Sequence, residues 1–155
     1  MPGLYTADEA FQIALEMEET GQLFYEALAG GSGHKELVDF FHRLVTMERE
    51  HYRKFQKLRQ EYGQPQRPMG FEQLDRVQEL IAAKAIPDRA HAQQVARQGS
   101  LAASLELAIL MEDLSVDFYA ALREVVQPAD AKAVSTIIEE ERQHAQLLRN
   151  ALMQL

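Results

Sequence analysis

Cysteine is absent from the 155 residues, and that absence removes several kinds of chemistry. No disulfide, thiolate zinc site, iron–sulfur cluster or cysteine nucleophile can be built. Any bound metal must be held by oxygen and imidazole nitrogen. Positive charge is scarce as well: 16 Lys and Arg stand against 24 Asp and Glu, for a formal net charge of −8. Nucleic acid and anionic membrane both call for a basic face, so neither partner is expected. There is no run of about 18 apolar residues, so no membrane-spanning helix is expected. The start, Met1-Pro2-Gly3-Leu4-Tyr5, lacks the basic and apolar regions of a signal peptide, and the cytoplasm is the expected location.

What is present is helical. A hydrophobic share of 46% beside 26% charged residues suits one globular domain, residues 1–155, with a real core. Thr6-Ala7-Asp8-Glu9 reads as a capping box that starts a helix running to about Leu28. Gly30-Gly31-Ser32-Gly33 should end it, with glycine supplying a positive φ and Ser32 capping the next helix, from about His34 to Tyr62. Gly63 to Gly70 is a break. Residues 71–99 carry shorter helical signals, with Phe71, Leu74, Val77 and Ile81 on one face, an interruption at Ile86-Pro87-Asp88 and a close at Gly99. A third long helix covers about Ser100 to Val126, and Pro128 suits the first turn of a fourth that ends near Met153.

The chain repeats itself. Glu18 precedes Phe24-Tyr25 as Glu112 precedes Phe118-Tyr119, and Glu48-Arg49-Glu50-His51 matches Glu141-Arg142-Gln143-His144. Two helical hairpins, 6–62 and 100–153, are therefore copies joined by a connector, 63–99. Each alone would leave an apolar stripe in water, and packing them together buries both. The expected fold is an all-α four-helix bundle of two repeated hairpins with a long, partly helical crossover.

Steps of three and four residues trace the seam of each long helix. The first reads Phe11, Ala14, Glu18, Gly21, Tyr25, Leu28; the second Leu37, Phe41, Leu44, Glu48, His51, Phe55, Leu58. The third reads Leu101, Leu105, Ala108, Glu112, Ser115, Tyr119, Leu122, Val126; the fourth Val134, Ile137, Glu141, His144, Leu148, Ala151. Every stripe is apolar above and below a central glutamate, and two stripes add a histidine one turn later. An unpaired buried carboxylate costs several kcal/mol or takes up a proton. Two divalent cations balance four carboxylates, and Glu and His at i and i+3 can close on one ion. A seam rotated by one position would instead place these glutamates in water, among Glu16, Glu19, Glu50, Glu139 and Glu140. The matched repetition argues against that rotation. A structural or zinc-filled site remains compatible with the same donors.

At these residues the sequence resembles the rubrerythrin-like branch of the ferritin-like superfamily. One Glu from each of two helices and Glu-x-x-His from each of two others is the layout of ferritin-like di-iron proteins. The resemblance spans about residues 6–153. It implies two iron ions, cycling between Fe2+ and Fe3+, held by Glu18, Glu48, His51, Glu112, Glu141 and His144, with Glu48 and Glu141 placed to touch both. Tyr25 and Tyr119 become phenols behind the ligands, with a catalytic role. Zinc and manganese also suit the donors. Two features depart from rubrerythrins proper: the cysteine-rich rubredoxin domain is missing, and Ser115 stands where they carry an extra glutamate. The implied activity is reduction of H2O2 or O2 with oxidation of Fe(II), fed by an external electron donor, a rubredoxin-like protein or reductase, in a homodimer. The alternatives are iron storage or delivery without catalysis, and a structural or zinc-holding bundle.

Among the remaining residues, Gly21 and Ser115 hold matching seam positions, either leaving room for oxygen species or simply packing. Arg49 and Arg142 pair either with acids near the site or on the surface. His34, His42 and His91 fall outside the seams and should be solvated.

Overall fold

The computed structural model describes residues 6–31, 35–62, 79, 88–124 and 126–155. The described residues hold helices α1 (Ala7–Gly31), α2 (Lys35–Tyr62), α3 (Arg89–Gln98), α4 (Leu101–Arg123) and α5 (Pro128–Met153). The fold is the expected all-α bundle: α1 pairs with α2, α4 with α5, and α1 meets α4.

The helix starts are local chemistry. The Thr6 amide donates to Glu9 Oε2 (3.0 Å) and the Glu9 amide to Thr6 Oγ1 (3.2 Å), closing the capping box. Asp88 caps α3 by accepting from the His91 amide (2.7 Å), and Ser100 caps α4 by accepting from the Ala103 amide (3.1 Å). Pro128 opens α5 at its first turn, where a missing N–H costs nothing. Gly99 lies so close to the end of α3 that an added Cβ would stand 2.6 Å from the Val95 carbonyl oxygen.

The helix ends depart from expectation in two places. α1 continues through Gly31, and neither Gly30 nor Gly31 takes a positive φ. Glycine enters helical φ and ψ at a cost of about 1 kcal/mol, and the buried Leu28 and Ala29 just before hold this last turn in place. The expected cap at Ser32 lies outside the described residues. α4 ends at Arg123 with Glu124 as its cap, short of the expected Val126, and Gln127, just before the proline, is extended with ψ 153°. The expected face of Phe71, Leu74, Val77 and Ile81 also lies outside the described residues. The end of the connector folds as α3, packed on α1 and α4 through Ala92.

The core comes in two parts. One cluster gathers Phe11, Phe55, Phe118, Leu122, Val134 and Ile137; the other gathers Phe24, Phe41, Leu44, Leu105, Ala108 and Leu148. Each fully buried large apolar side chain contributes roughly 1.5–3 kcal/mol. Polar ties fix the helix ends: the Arg59 guanidinium, late in α2, donates twice to Asp8 at the start of α1 (2.8 and 3.1 Å). The Tyr62 hydroxyl bonds Asp130 and accepts from the Gln127 amide (3.1 Å), joining the end of α2 to the start of α5. No described helix is long and apolar enough to cross a membrane.

Candidate metal centre

Along the seams, between residues of the two apolar clusters, stand the six expected donors, all facing inward. Glu18 and Glu141 are 0% exposed, Glu112 3%, Glu48 4%, His51 0% and His144 5%, so the rotated seam is excluded. Their ligand atoms form two groups. Glu18, Glu48, His51 and Glu141 make one; Glu48, Glu112, Glu141 and His144 make the other, and within each group the atoms lie within 4.8 Å of one another. Glu48 and Glu141 belong to both.

Both histidines turn Nδ1 inward. His51 Nδ1 is 3.1 Å from Glu141 Oε1 and 3.6 Å from Glu18 Oε1. His144 Nδ1 is 3.1 Å from Glu141 Oε2, 3.5 Å from Glu48 Oε1 and 3.7 Å from Glu112 Oε1. The two rings stack with centroids 6.0 Å apart.

The tyrosines are wired crosswise. Tyr25, on α1, donates to Glu112 Oε1 on α4 (2.6 Å), and Tyr119, on α4, donates to Glu18 Oε1 on α1 (2.6 Å). Each hairpin's phenol thus serves the other hairpin's glutamate. Burial, then the charges of Glu112 and Glu18 respectively, push both phenols well above their ordinary value, so they stay protonated and donate.

In the metal-free chain, protons carry the charge balance. Burial and the Glu141 charge raise Glu18 to about 7, against the hydrogen bond from His51. Burial, then the charges of Glu141 and Glu18, hold Glu48 well above the carboxylate range. Glu112 and Glu141 rise as well, again by burial first and neighbouring carboxylates second. Burial pulls both histidines down, but their hydrogen bonds to the carboxylates outweigh it and push each to about 12.

Among the described residues, three buried carboxylate oxygens have no hydrogen-bond partner: Glu18 Oε2, Glu48 Oε1 and Glu112 Oε2. Leaving a buried polar atom unpaired costs about 1–3 kcal/mol each, more for a charged group. Two cations would take up these orphaned oxygens and both inward nitrogens, so the donor set fits a pair of metal ions. Oxygen and imidazole donors suit iron, manganese or zinc.

Some contacts were not visible in the sequence. The His51 Nε2 atom lies 2.6 Å from Glu140 Oε2, a carboxylate of the other hairpin. Its only sequence signal is its place one residue before Glu141. Gly21 proves to be a close approach: an added Cβ would lie 2.8 Å from Glu48 Oε2. Ser115 donates to its own helix, at the Met111 carbonyl (3.0 Å). Arg49 and Arg142 form exposed pairs with Glu26 and Glu139, away from the donors. His42 and His91 are exposed, and His34 lies outside the described residues.

A four-helix bundle with a buried box of four carboxylates and two imidazoles is the architecture of ferritin-like di-metal carboxylate proteins. The rubrerythrin family model matches residues 5–59, the hairpin carrying Glu18, Glu48 and His51. The fold is similar over 99% of this chain to a crystal structure from Thermotoga maritima described as a ferritin-like diiron-carboxylate protein, with 98% of that chain covered, a TM-score of 0.73 and 22% identity. No curated protein matches the sequence. The chain is thus rubrerythrin-like in sequence over its first hairpin and ferritin-like in fold throughout.

Proposed function

We propose that this protein is a non-haem di-iron oxidoreductase that reduces peroxide or O2 at the expense of Fe(II). The observation that carries the reading is the pair of four-residue groups sharing Glu48 and Glu141, because it provides for two ions side by side. Two ferrous ions would supply one electron each, the two that cleavage of a peroxide O–O bond requires. Glu18 and His51 would help hold one ion and Glu112 and His144 the other, with Glu48 and Glu141 common to both. Tyr25 and Tyr119 hold Glu112 and Glu18 in place and stand as protonated groups within hydrogen-bond reach of two of the carboxylates. The apolar clusters keep bulk water from the donors. These 155 residues hold no cysteine and so no iron–sulfur or rubredoxin-type centre, and re-reduction would draw on a donor outside them.

The test is anaerobic loading with Fe(II), metal analysis after removal of loose ions, then stopped-flow mixing with H2O2. Two irons per chain that oxidise as peroxide disappears support the reading. Iron retained without any reaction toward peroxide or O2 refutes the catalytic part. Glu48→Ala and Glu112→Ala should both lose turnover, and full activity in either would mean that the site is misassigned.

A further inference from the structure

We propose that the two metal positions are unequal: the one built from Glu18, Glu48, His51 and Glu141 fills first, because Glu140 fixes the His51 ring from behind. The inference rests on the two-metal reading above and concerns how this chain's residues divide the task.

The His51 ring is wholly buried and held at both nitrogens. Nδ1 faces Glu141 and Glu18, while Nε2 meets Glu140 Oε2 at 2.6 Å. Glu140 is on α5 and His51 on α2, so the contact crosses between hairpins. With Nε2–H donating to a carboxylate, Nδ1 is the nitrogen turned toward the donors, and it becomes the lone-pair ligand once an ion displaces its proton. An outer partner of this kind fixes both tautomer and ring orientation, and losing it typically costs about 10–100-fold in metal affinity.

His144 lacks the matching support. The repeat aligns Glu141 with Glu48, so the residue matching Glu140 is Met47. A thioether is at most a weak acceptor and carries no charge. His144 presents Nδ1 to the donors as His51 does, but among the described residues no carboxylate is found at its Nε2. Among the described residues its ring is therefore held from the Nδ1 side alone, where the His51 ring is held from both sides. The repeat is close to symmetric in its donors and asymmetric in what stands behind them.

Anaerobic calorimetric titration of the metal-free protein with Co(II), which reports its ligands by visible absorption, tests this. The expected result is two Co(II) per chain in two steps. Glu140→Ala should weaken the first step about 10–100-fold and leave the second nearly unchanged. Glu140→Gln, which keeps the shape and a neutral acceptor, should fall between. His144→Ala should retain the tight step and His51→Ala should lose it. Unchanged steps in Glu140→Ala, equal weakening of both, or a tight step that survives His51→Ala but not His144→Ala would each overturn the inference while leaving a two-metal site standing. Fewer than two Co(II) bound by the wild type would instead overturn the two-metal reading itself.

Discussion

Removing the metal should reverse the way stability responds to pH. In the metal-free chain Glu18 holds its proton up to about 7 when folded, against 4.5 for the free side chain. Between those values the folded state binds more protons than the unfolded one, so stability falls as pH rises. At about 1.36 kcal/mol per unit, this one carboxyl accounts for roughly 3 kcal/mol across the window. The histidines act in the same direction. Their folded values near 12 lie above the ordinary 6.5, so their contribution is full below about pH 6.5 and drains away as pH climbs toward 12. Bound cations displace these protons, so metal affinity rises with pH. Free metal at a hundred times its dissociation constant adds about 2.7 kcal/mol to stability. The assay is urea unfolding followed by circular dichroism from about pH 5 to about pH 8.5, with and without Mn(II). The metal-free midpoint should fall across this range, and the increment due to metal should grow. A metal-free protein that gains stability with rising pH, or a metal increment largest at acid pH, would refute the reasoning.

Four substitutions probe the parts separately. Glu141→Ala removes a carboxylate common to both groups and should abolish retention of two ions, whereas Glu112→Ala touches one group and should leave one ion by metal analysis; equal losses would contradict the shared role. Gly21→Ala should gain up to about 1 kcal/mol of helix stability in the metal-free chain while weakening metal binding, because the new methyl displaces the Glu48 carboxylate; unchanged affinity by calorimetry would show that Gly21 is ordinary packing. Tyr25→Phe removes the phenol that donates to Glu112 Oε1 and should cost about 1–3 kcal/mol in urea unfolding, a loss that would be absent if the phenol merely filled space.

The parts legible in the sequence were those that depend on few variables. The cap at Thr6 and the proline start at Pro128 are decided within four residues. The seams were legible because each glutamate interrupts an apolar stripe, so one phase accounts for Phe41, Leu44, Phe55 and Leu58 together with Glu48 and His51. The crosswise tyrosines were not, since spacing puts Tyr25 two turns from Glu18 but says nothing of how far the α1–α2 hairpin is rotated against α4. The same limit hid Glu140, which reads as one more acid on a helix rich in them until α2 is docked beside it. At Gly30-Gly31 the sequence signal was permissive rather than decisive: glycine allows a left-handed turn without requiring one.

The reciprocal phenol contacts carry a consequence for ancestry. Tyr25 reaches the glutamate of the later hairpin and Tyr119 that of the earlier one. Two identical hairpins related by a twofold axis would make both bonds, and all six donors, without any connector. The centre therefore needs no more information than one hairpin and a rotation, and a self-associating half-length peptide is a sufficient precursor. Within one chain the two copies are free to differ, and Met47 and Glu140 are a matching pair at which they do.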